Sequence, residues 1–338
     1  MTEYEVLQIE AKTGDVIATL PVTGIKYGET LNAAGTATVG MPLDAADPDT
    51  LQPGRSGLVV LRDGEPDWGG LLWTTTADLA AGTLTLNASG WHSYYAGRVL
   101  HDGYERKTDQ ALLLADWYAL CNEDGGIGTD TSRLTTSGRV VSRLWTQYEL
   151  KVVAEAISEL AEDDGGFYFR YETYWRSVTQ VGNRVLKYTP GSASTPFALT
   201  HGVNCDVTQV SYDSAAMATR AYAVGADNGN GTKLVGIADN ALDMPTKHVV
   251  QSFSDVKSTE SLISKAYAIA TAGAAPVAIP TLTLYPGAFK PSDFVPGASG
   301  VVQVDSGYVR VFDDFVITER STSIDENGTE LTNVGACQ

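Results

Sequence analysis

The sequence predicts a mainly β protein with α+β parts: two small β-barrel-like domains with an α+β insertion between them. Three observations carry this. Short runs of alternating apolar and polar residues crowd both ends of the chain. Glycine-centred turn signals separate those runs, and the apolar period lengthens to that of a helix in the middle. The boundaries that follow are 1–100 for the first β domain, 101–202 for an α+β domain with two helices, and 203–338 for a second β domain with one helix.

Residues 4–11 and 15–20 flank Thr13-Gly14, a hairpin signature. Residues 36–41 alternate, with Ala37, Val39 and Met41 on one face and Thr36, Thr38 and Gly40 on the other. Residues 57–62 run into Asp63-Gly64 and 68–76 return, a second hairpin whose loop Glu65-Pro66 lengthens. Residues 83–88 alternate again and turn Leu84, Leu86 and Ala88 inward. About five or six strands with turns this close together suit a small barrel or sandwich.

Residues 110–121 form a helix candidate, capped by Thr108 or Asp109, with Leu113, Trp117 and Leu120 on one stripe; 122–128 break it. A second helix spans 149–162. Leu150, Val153, Ile157 and Leu160 line its dry side, while Lys151, Glu155, Ser158, Glu159 and Glu162 hold the wet side. Asp163-Asp164-Gly165-Gly166 stops it, and Phe167, Phe169 and Tyr171 open an alternating strand. Residues 203–212 and 219–225 read as extended, followed by a polar turn at 227–231. A third helix, 258–272, turns Leu262, Ala266 and Ile269 inward and stops at Gly273. Leu282 and Leu284 alternate with Thr281 and Thr283. Residues 301–304, 308–312 and 315–324 then make a meander, with Glu326-Asn327-Gly328-Thr329 as its hairpin turn.

The chain carries 23 Lys and Arg against 41 Asp and Glu, a formal charge of −18. A nucleic-acid clamp needs the opposite balance. Acidity suits a conduit through which DNA slides without sticking, and equally a plain soluble surface. Charged residues at 19% and hydrophobic ones at 43% mark a folding chain rather than a disordered one. Cys121, Cys205 and Cys337 lie far apart with no Cys-x-x-Cys or Cys/His grouping, so neither a disulfide framework nor a zinc site is expected. Cys121, on an apolar helix, reads as a small hydrophobe. The N-terminus shows no basic and apolar leader, and no apolar run approaches ~18 residues. The expectation is a protein that folds in a reducing cytoplasm with no stable membrane insertion.

Each catalytic reading meets a plainer one. His92, His101, His201 and His248 have no metal-ligand spacing and read as solvated or hydrogen-bonded structural residues. No Gly-x-Ser-x-Gly elbow, Lys-bearing phosphate loop or dinucleotide fingerprint occurs, and Gly125-Gly126-Ile127-Gly128 is a loop leading into polar residues. Asp163-Asp164 is the most conspicuous carboxylate pair, yet two glycines follow it and turn chemistry explains it. Asp44, Asp47 and Asp49 lack the Gly and distal Glu of a calcium loop, and Pro48 interrupts them. Asn87, Asn230 and Asn327 each begin a glycosylation triplet, which matters only on secretion. Trp68, Trp73, Trp91, Trp117, Trp145 and Trp175 would suit a sugar-stacking platform if exposed; their apolar neighbourhoods make most of them core or interface anchors. The sequence therefore predicts no enzyme, with no catalytic, cofactor-binding or metal-ligating residue and no cofactor.

One stretch is recognisable. Thr36-Ala-Thr-Val-Gly-Met-Pro-Leu43 is followed by Pro53-Gly54 and a strand ending in Arg62-Asp63-Gly64. Then come Trp68-Gly69-Gly70-Leu71-Leu72-Trp73, Gly90-Trp91, Tyr94-Tyr95 and Arg98. This order resembles the opening domain of the tail-hub (minor tail) proteins of long-tailed siphovirus phages of actinobacteria, which are related to the baseplate hubs of contractile phages. Looser agreement continues through Gly165-Gly-Phe-Tyr-Phe169, Asn204 before a strand, the helix near 258–272 and the terminal meander.

The resemblance implies a structural subunit of the virion's tail tip, assembled in the host cytoplasm. It implies a homotrimer whose two barrel-like domains per copy build a pseudo-sixfold ring. That ring would dock on the distal tail protein or tail tube, and its lumen would admit the tape measure protein and then DNA in transit. Other tail-tip or fibre proteins are the remaining partners. The family's motifs here are hairpin and packing residues, so no catalytic residue carries over. The chain's end just after the meander leaves receptor binding and wall cleavage to other proteins. Two further readings stand beside this one. A carbohydrate- or receptor-binding tail-tip protein requires exposed aromatics on a concave face, and a two-carboxylate hydrolase requires Asp163 and Asp164 to act together.

Overall fold

Alternation at the N-terminus becomes a meander of strands. A computed structural model describes residues 2–163, 165–189, 196–212, 214–215, 217–254, 256–273, 277–285 and 293–337. β1 (Tyr4–Glu10), β2 (Val16–Leu20), β3 (Gly24–Thr30), β4 (Thr36–Pro42), β5 (Ser56–Arg62), β6 (Glu65–Asp78) and β7 (Thr83–Gly90) pair antiparallel in the order β3-β4-β7-β6-β5-β1-β2. Ala37, Val39, Met41, Leu84, Leu86 and Ala88 are buried as a period of two requires, and pack with Val6, Leu58, Val60 and Trp68. The second hairpin is tighter than its sequence suggests. Asp63 and Gly64 both take positive φ, 52° and 81°, so these two residues alone make the turn. Glu65-Pro66 belongs to β6, accommodated by a register shift beside Val60 and Leu61. β3 carries a weak sequence signal because only Ile25 and Tyr27 of its seven residues are buried.

The middle of the chain holds β8 (Val99–Leu100), β9 (Tyr104–Asp109), α1 (Gln110–Glu123), β10 (Val140–Trp145), β11 (Lys151–Val152), α2 (Val153–Glu162), β12 (Tyr168–Ser177) and β13 (Gln180–Tyr188). Asp109 caps α1 by accepting the Ala111 amide at 2.8 Å. The buried stripe of α1 runs Leu113, Trp117 and Cys121, with Leu114 and Tyr118 beside it. Leu120 faces outward, because i+4 steps carry the stripe past it to Cys121. α2 starts later than its apolar spacing predicts. Lys151 and Val152 pair with β8 as a short strand, and Leu150 sits half-exposed at φ 44°, outside the helix. Val153, Ile157 and Leu160 do face inward, into a core shared with α1, Tyr95, Phe167 and Phe169.

The last part comprises β14 (Phe197–Thr200), β15 (Cys205–Tyr212), β16 (Arg220–Asp227), β17 (Lys233–Asp239), β18 (His248–Ser252), α3 (Thr259–Ala272), β19 (Val277–Leu284), β20 (Ser299–Ser306), β21 (Val309–Ile324) and β22 (Glu330–Cys337). β17 and β18 have no counterpart in the sequence reading. With β16 they form a small sheet whose inner face, Ala221, Ala223, Gly236 and Ala238, is covered by Leu262, Ala266 and Ala270 of α3. Small residues let the helix lie directly on the strand: a Cβ on Gly236 would stand 2.1 Å from the backbone of Leu262. Residues 308–312 and 315–324, separate strands by pattern, largely form the single 16-residue β21. Asp325 accepts the amides of Asn327 and Thr329, closing the expected turn into β22.

β21 joins the two ends of the chain. Its first half pairs with β20; its second half lies between β22 and β3. The result is one 13-stranded sheet running β15-β19-β22-β21-β3-β4-β7-β6-β5-β1-β2, with β20 and β14 branching from β21. The mainly β class with α+β parts is as expected from sequence. The strands form open sheets rather than closed barrels, because β21 is long enough to serve both terminal regions at once.

Candidate functional site

The second half of β21 reads Thr318-Glu-Arg-Ser-Thr-Ser323, a polar run in which Arg320 and Thr322 are buried while Glu319 stays exposed. Arg320 is only 2% exposed. A buried guanidinium is unfavourable unless it is paired and hydrogen-bonded. Its partners come from the other end of the sequence: Glu29 Oε2 on β3 at 3.2 Å and Asp67 Oδ1 on β6 at 3.4 Å. Burial works against the Arg320 charge, but Asp67 and Glu29 outweigh it and hold the guanidinium more firmly protonated than usual. Tyr27 donates its hydroxyl to the second Asp67 oxygen at 2.6 Å. Burial, reinforced by the Asp67 charge, pushes the Tyr27 hydroxyl far above its ordinary range, so it remains a donor. Trp68 donates its indole N–H to Gly28 O at 3.0 Å. A second crossing sits nearby, where Arg62 of β5 pairs with Glu330 of β22 at 3.3 Å and donates to Tyr4 Oη at 2.9 Å. These charges are satisfied only when both ends of the chain are in place.

Beside Arg320 a cleft of about 300 Å³ is walled by Glu29, Asp67, Trp68, Trp91, Arg170 and Glu172, among others. His92, on the 3₁₀ helix Trp91–Gly97, also lines it. Its Nδ1 lies 3.1 Å from the Tyr171 hydroxyl, which is 2.7 Å from that of Tyr118. Burial lowers the His92 pKa to about 4, so the ring is neutral at pH 7.

The other candidates lie apart. His101 is exposed beside Asp102, His201 Nδ1 accepts the Val207 amide at 3.0 Å, and His248 on β18 packs edge-on against Tyr222. Among the described residues no group of His, Cys, Asp and Glu is arranged to hold a metal ion. Asp163 is paired with Arg143 at 2.5 Å, and Asp164 lies outside the described residues. Asp47 closes its own loop, accepting the Asp49 amide and the Thr50 hydroxyl. Trp68, Trp91 and Trp117 are buried, Trp145 packs against Trp117 and Tyr104, and Trp175 donates to Gly64 O. Trp73 departs from that pattern at 42% exposed, its N–H held by Ser93. The Arg320 centre gives no local signal in sequence, since its acidic partners are 253 and 291 residues away.

Apolar side chains also stand exposed on the described strands. On the face of the β16–β18 sheet away from α3, Ile237, Tyr222 and Val250 form one cross-strand row, with Val235 and Val224 in the next but one. Ile237, Val235 and Val250 are all substantially exposed. At the tip of the β20–β21 hairpin, Tyr308 packs edge-on against Tyr212 at 5.8 Å, with Phe312 exposed nearby in sequence.

No family model matches the sequence, and no curated protein matches it. Solved structures do. The 43 kDa tail protein of prophage MuSo2 from Shewanella oneidensis matches with a TM-score of 0.67 at 13% identity, covering 99% of this chain and 98% of that one. A tail protein from Neisseria meningitidis MC58 matches with a TM-score of 0.65 at 12% identity, covering 99% and 96%. An E. coli type VI secretion component, itself described as structurally similar to the T4 phage tail proteins gp27 and gp5, matches with a TM-score of 0.51 at 11% identity, over 94% and 73%. At such identities the likeness is one of fold, and it runs from end to end: this chain has the fold of phage tail proteins.

Proposed function

We propose that the chain is a non-enzymatic structural subunit of a phage tail, forming a hub ring at the tail tip. The observation that carries this reading is the end-to-end fold match to two tail proteins, one of them from a prophage. In this reading three copies surround the tail axis, dock on the distal tail protein or tail tube, and let the tape measure protein and then DNA pass. The phage is a long-tailed siphovirus of an actinobacterium, and the subunit joins the virion after folding in the host cytoplasm.

Three features support the assignment. The Arg320 and Arg62 crossings tie the N-terminal strands to the C-terminal ones, which suits a subunit that must stay rigid under load. The open apolar faces on β16–β18 and the β20–β21 tip supply surfaces for contact with other copies or tail proteins. A charge of −18 per copy disfavours adhesion of DNA. The receptor-binding alternative asks for aromatics on a concave face, whereas Tyr308 stands at a hairpin tip and Phe312 on the adjoining strand, a placement that suits protein contact better.

The test is the mass of the purified chain and its place in assembled tails. A particle of three times the 35.9 kDa chain mass, and threefold density at the tail tip by electron cryomicroscopy, is the expected result. A lasting monomer that binds neither distal tail nor tube protein would overturn the hub.

A further inference from the structure

Asn230 and Asn327, which begin glycosylation triplets, are also each followed by glycine, as is Asn228. An Asn-Gly pair carries a chemistry of its own. The glycine amide nitrogen can attack the side-chain carbonyl before it, since no Cβ hinders the approach and the glycine backbone turns freely. All three pairs lie in exposed connections between paired strands, so exposure does not separate them. Hydrogen bonding does. The Gly229 amide donates to Asp227 Oδ1 at 2.7 Å, and Asn228 Oδ1 accepts the Asn230 amide at 3.1 Å, so attacking and attacked groups of that pair are both held. The Gly328 amide donates to the Asp325 carbonyl at 3.0 Å. The Gly231 amide has no acceptor among the described residues, and neither does the Asn230 side chain have a partner there. A Cβ placed on Gly231 would meet nothing within 4 Å, which leaves the backbone room to rearrange.

We propose that Asn230-Gly231 is a self-modification site, at which Asn230 converts to aspartate and isoaspartate with water as the only co-reactant. The Gly231 nitrogen bonds to Asn230 Cγ and gives its proton to solvent. The bond from Cγ to the side-chain nitrogen breaks, ammonia leaves, and a cyclic imide closes. Water then adds at either imide carbonyl and breaks its bond to nitrogen. Nothing is oxidised or reduced. The change adds one negative charge to the chain's −18, at a hairpin tip beyond the last ladder pair, Asp227 with Lys233. The site does not depend on the tail reading, so the two fail separately.

The experiment holds the intact chain in neutral buffer made with heavy-oxygen water and follows label uptake by peptide mass spectrometry, with fragment spectra separating Asn228 from Asn230. The same chain in urea is the reference. In the native chain Asn230 should take up label about fivefold faster than Asn228 or Asn327, the cost of freeing one neutral hydrogen bond. In urea the three should converge, since each is followed by glycine. Asn230→Gln should abolish uptake at that position, because the longer side chain must close a larger ring. Asp227→Ala, which frees the Gly229 amide, should quicken Asn228 and leave Asn327 unchanged. One common rate in the native chain, a preference for Asn230 that survives in urea, or an Asp227→Ala chain in which Asn228 stays slow overturns the proposal.

Discussion

Arg320 shows how one residue acquires a role that its neighbours in sequence do not announce. Thr318-Glu-Arg-Ser-Thr-Ser323 has the composition of an exposed strand, and Arg320 within it is interior beside Glu29 of β3 and Asp67 of β6. Replacing Arg320 with Met leaves Glu29 and Asp67 without their counter-charge, and unfolding free energy measured in urea should fall by about 3–5 kcal/mol. Replacing all three by apolar residues should recover most of that loss, because desolvation of a buried triad offsets much of its attraction. His92 gives a pH signature. Burial lowers its pKa from 6.5 to about 4, so the unfolded chain takes up the proton first as pH falls. Its contribution is complete above about pH 6.5 and drains away toward pH 4, roughly 3 kcal/mol in all. The stability difference between His92→Gln and the parent, followed from pH 7 to pH 4, should narrow by about that amount.

At the scale of elements, what was legible is what buried large side chains at a regular period. β4, β7 and the body of α2 follow their patterns residue for residue. β17 did not show, because its buried positions are Gly236 and Ala238, and small residues carry no hydrophobic signal. Their size is nonetheless what seats α3. Gly236→Ala should lift the helix and destabilise the β16–β18 unit by about 1–3 kcal/mol. Hydrogen exchange should quicken across residues 220–272 while the β1–β7 amides keep their protection. The late start of α2 has a similar cause: Lys151 and Val152 spend their backbone groups on β8, a partner that helical spacing does not reveal.

The whole molecule was legible in class and not in connection. Each terminal region holds strands enough to suggest a barrel of its own, and nothing local to β3 or β21 says that they pair. The candidate centre was invisible for the same reason. Charge also acts at this scale. Copies at −18 repel one another over ~30 Å in 10 mM salt but only over ~8 Å at physiological ionic strength. Self-association, measured by sedimentation velocity, should therefore strengthen as salt rises, the reverse of an assembly held by opposite charges.

The pairing of β3 with β21 has a consequence for how the protein is made. Glu29 and Arg320 are 291 residues apart. At about 5–20 residues per second, a ribosome needs roughly 15–60 s to travel between them. Throughout synthesis β3 presents a bare strand edge, with acidic groups on β3 and β6 lacking their guanidinium. Until β21 arrives, that edge is a template on which another strand can pair. Arrival of β21 covers the edge and gives both carboxylates their guanidinium in one event, so a chain released before that point remains chemically distinguishable from a finished subunit.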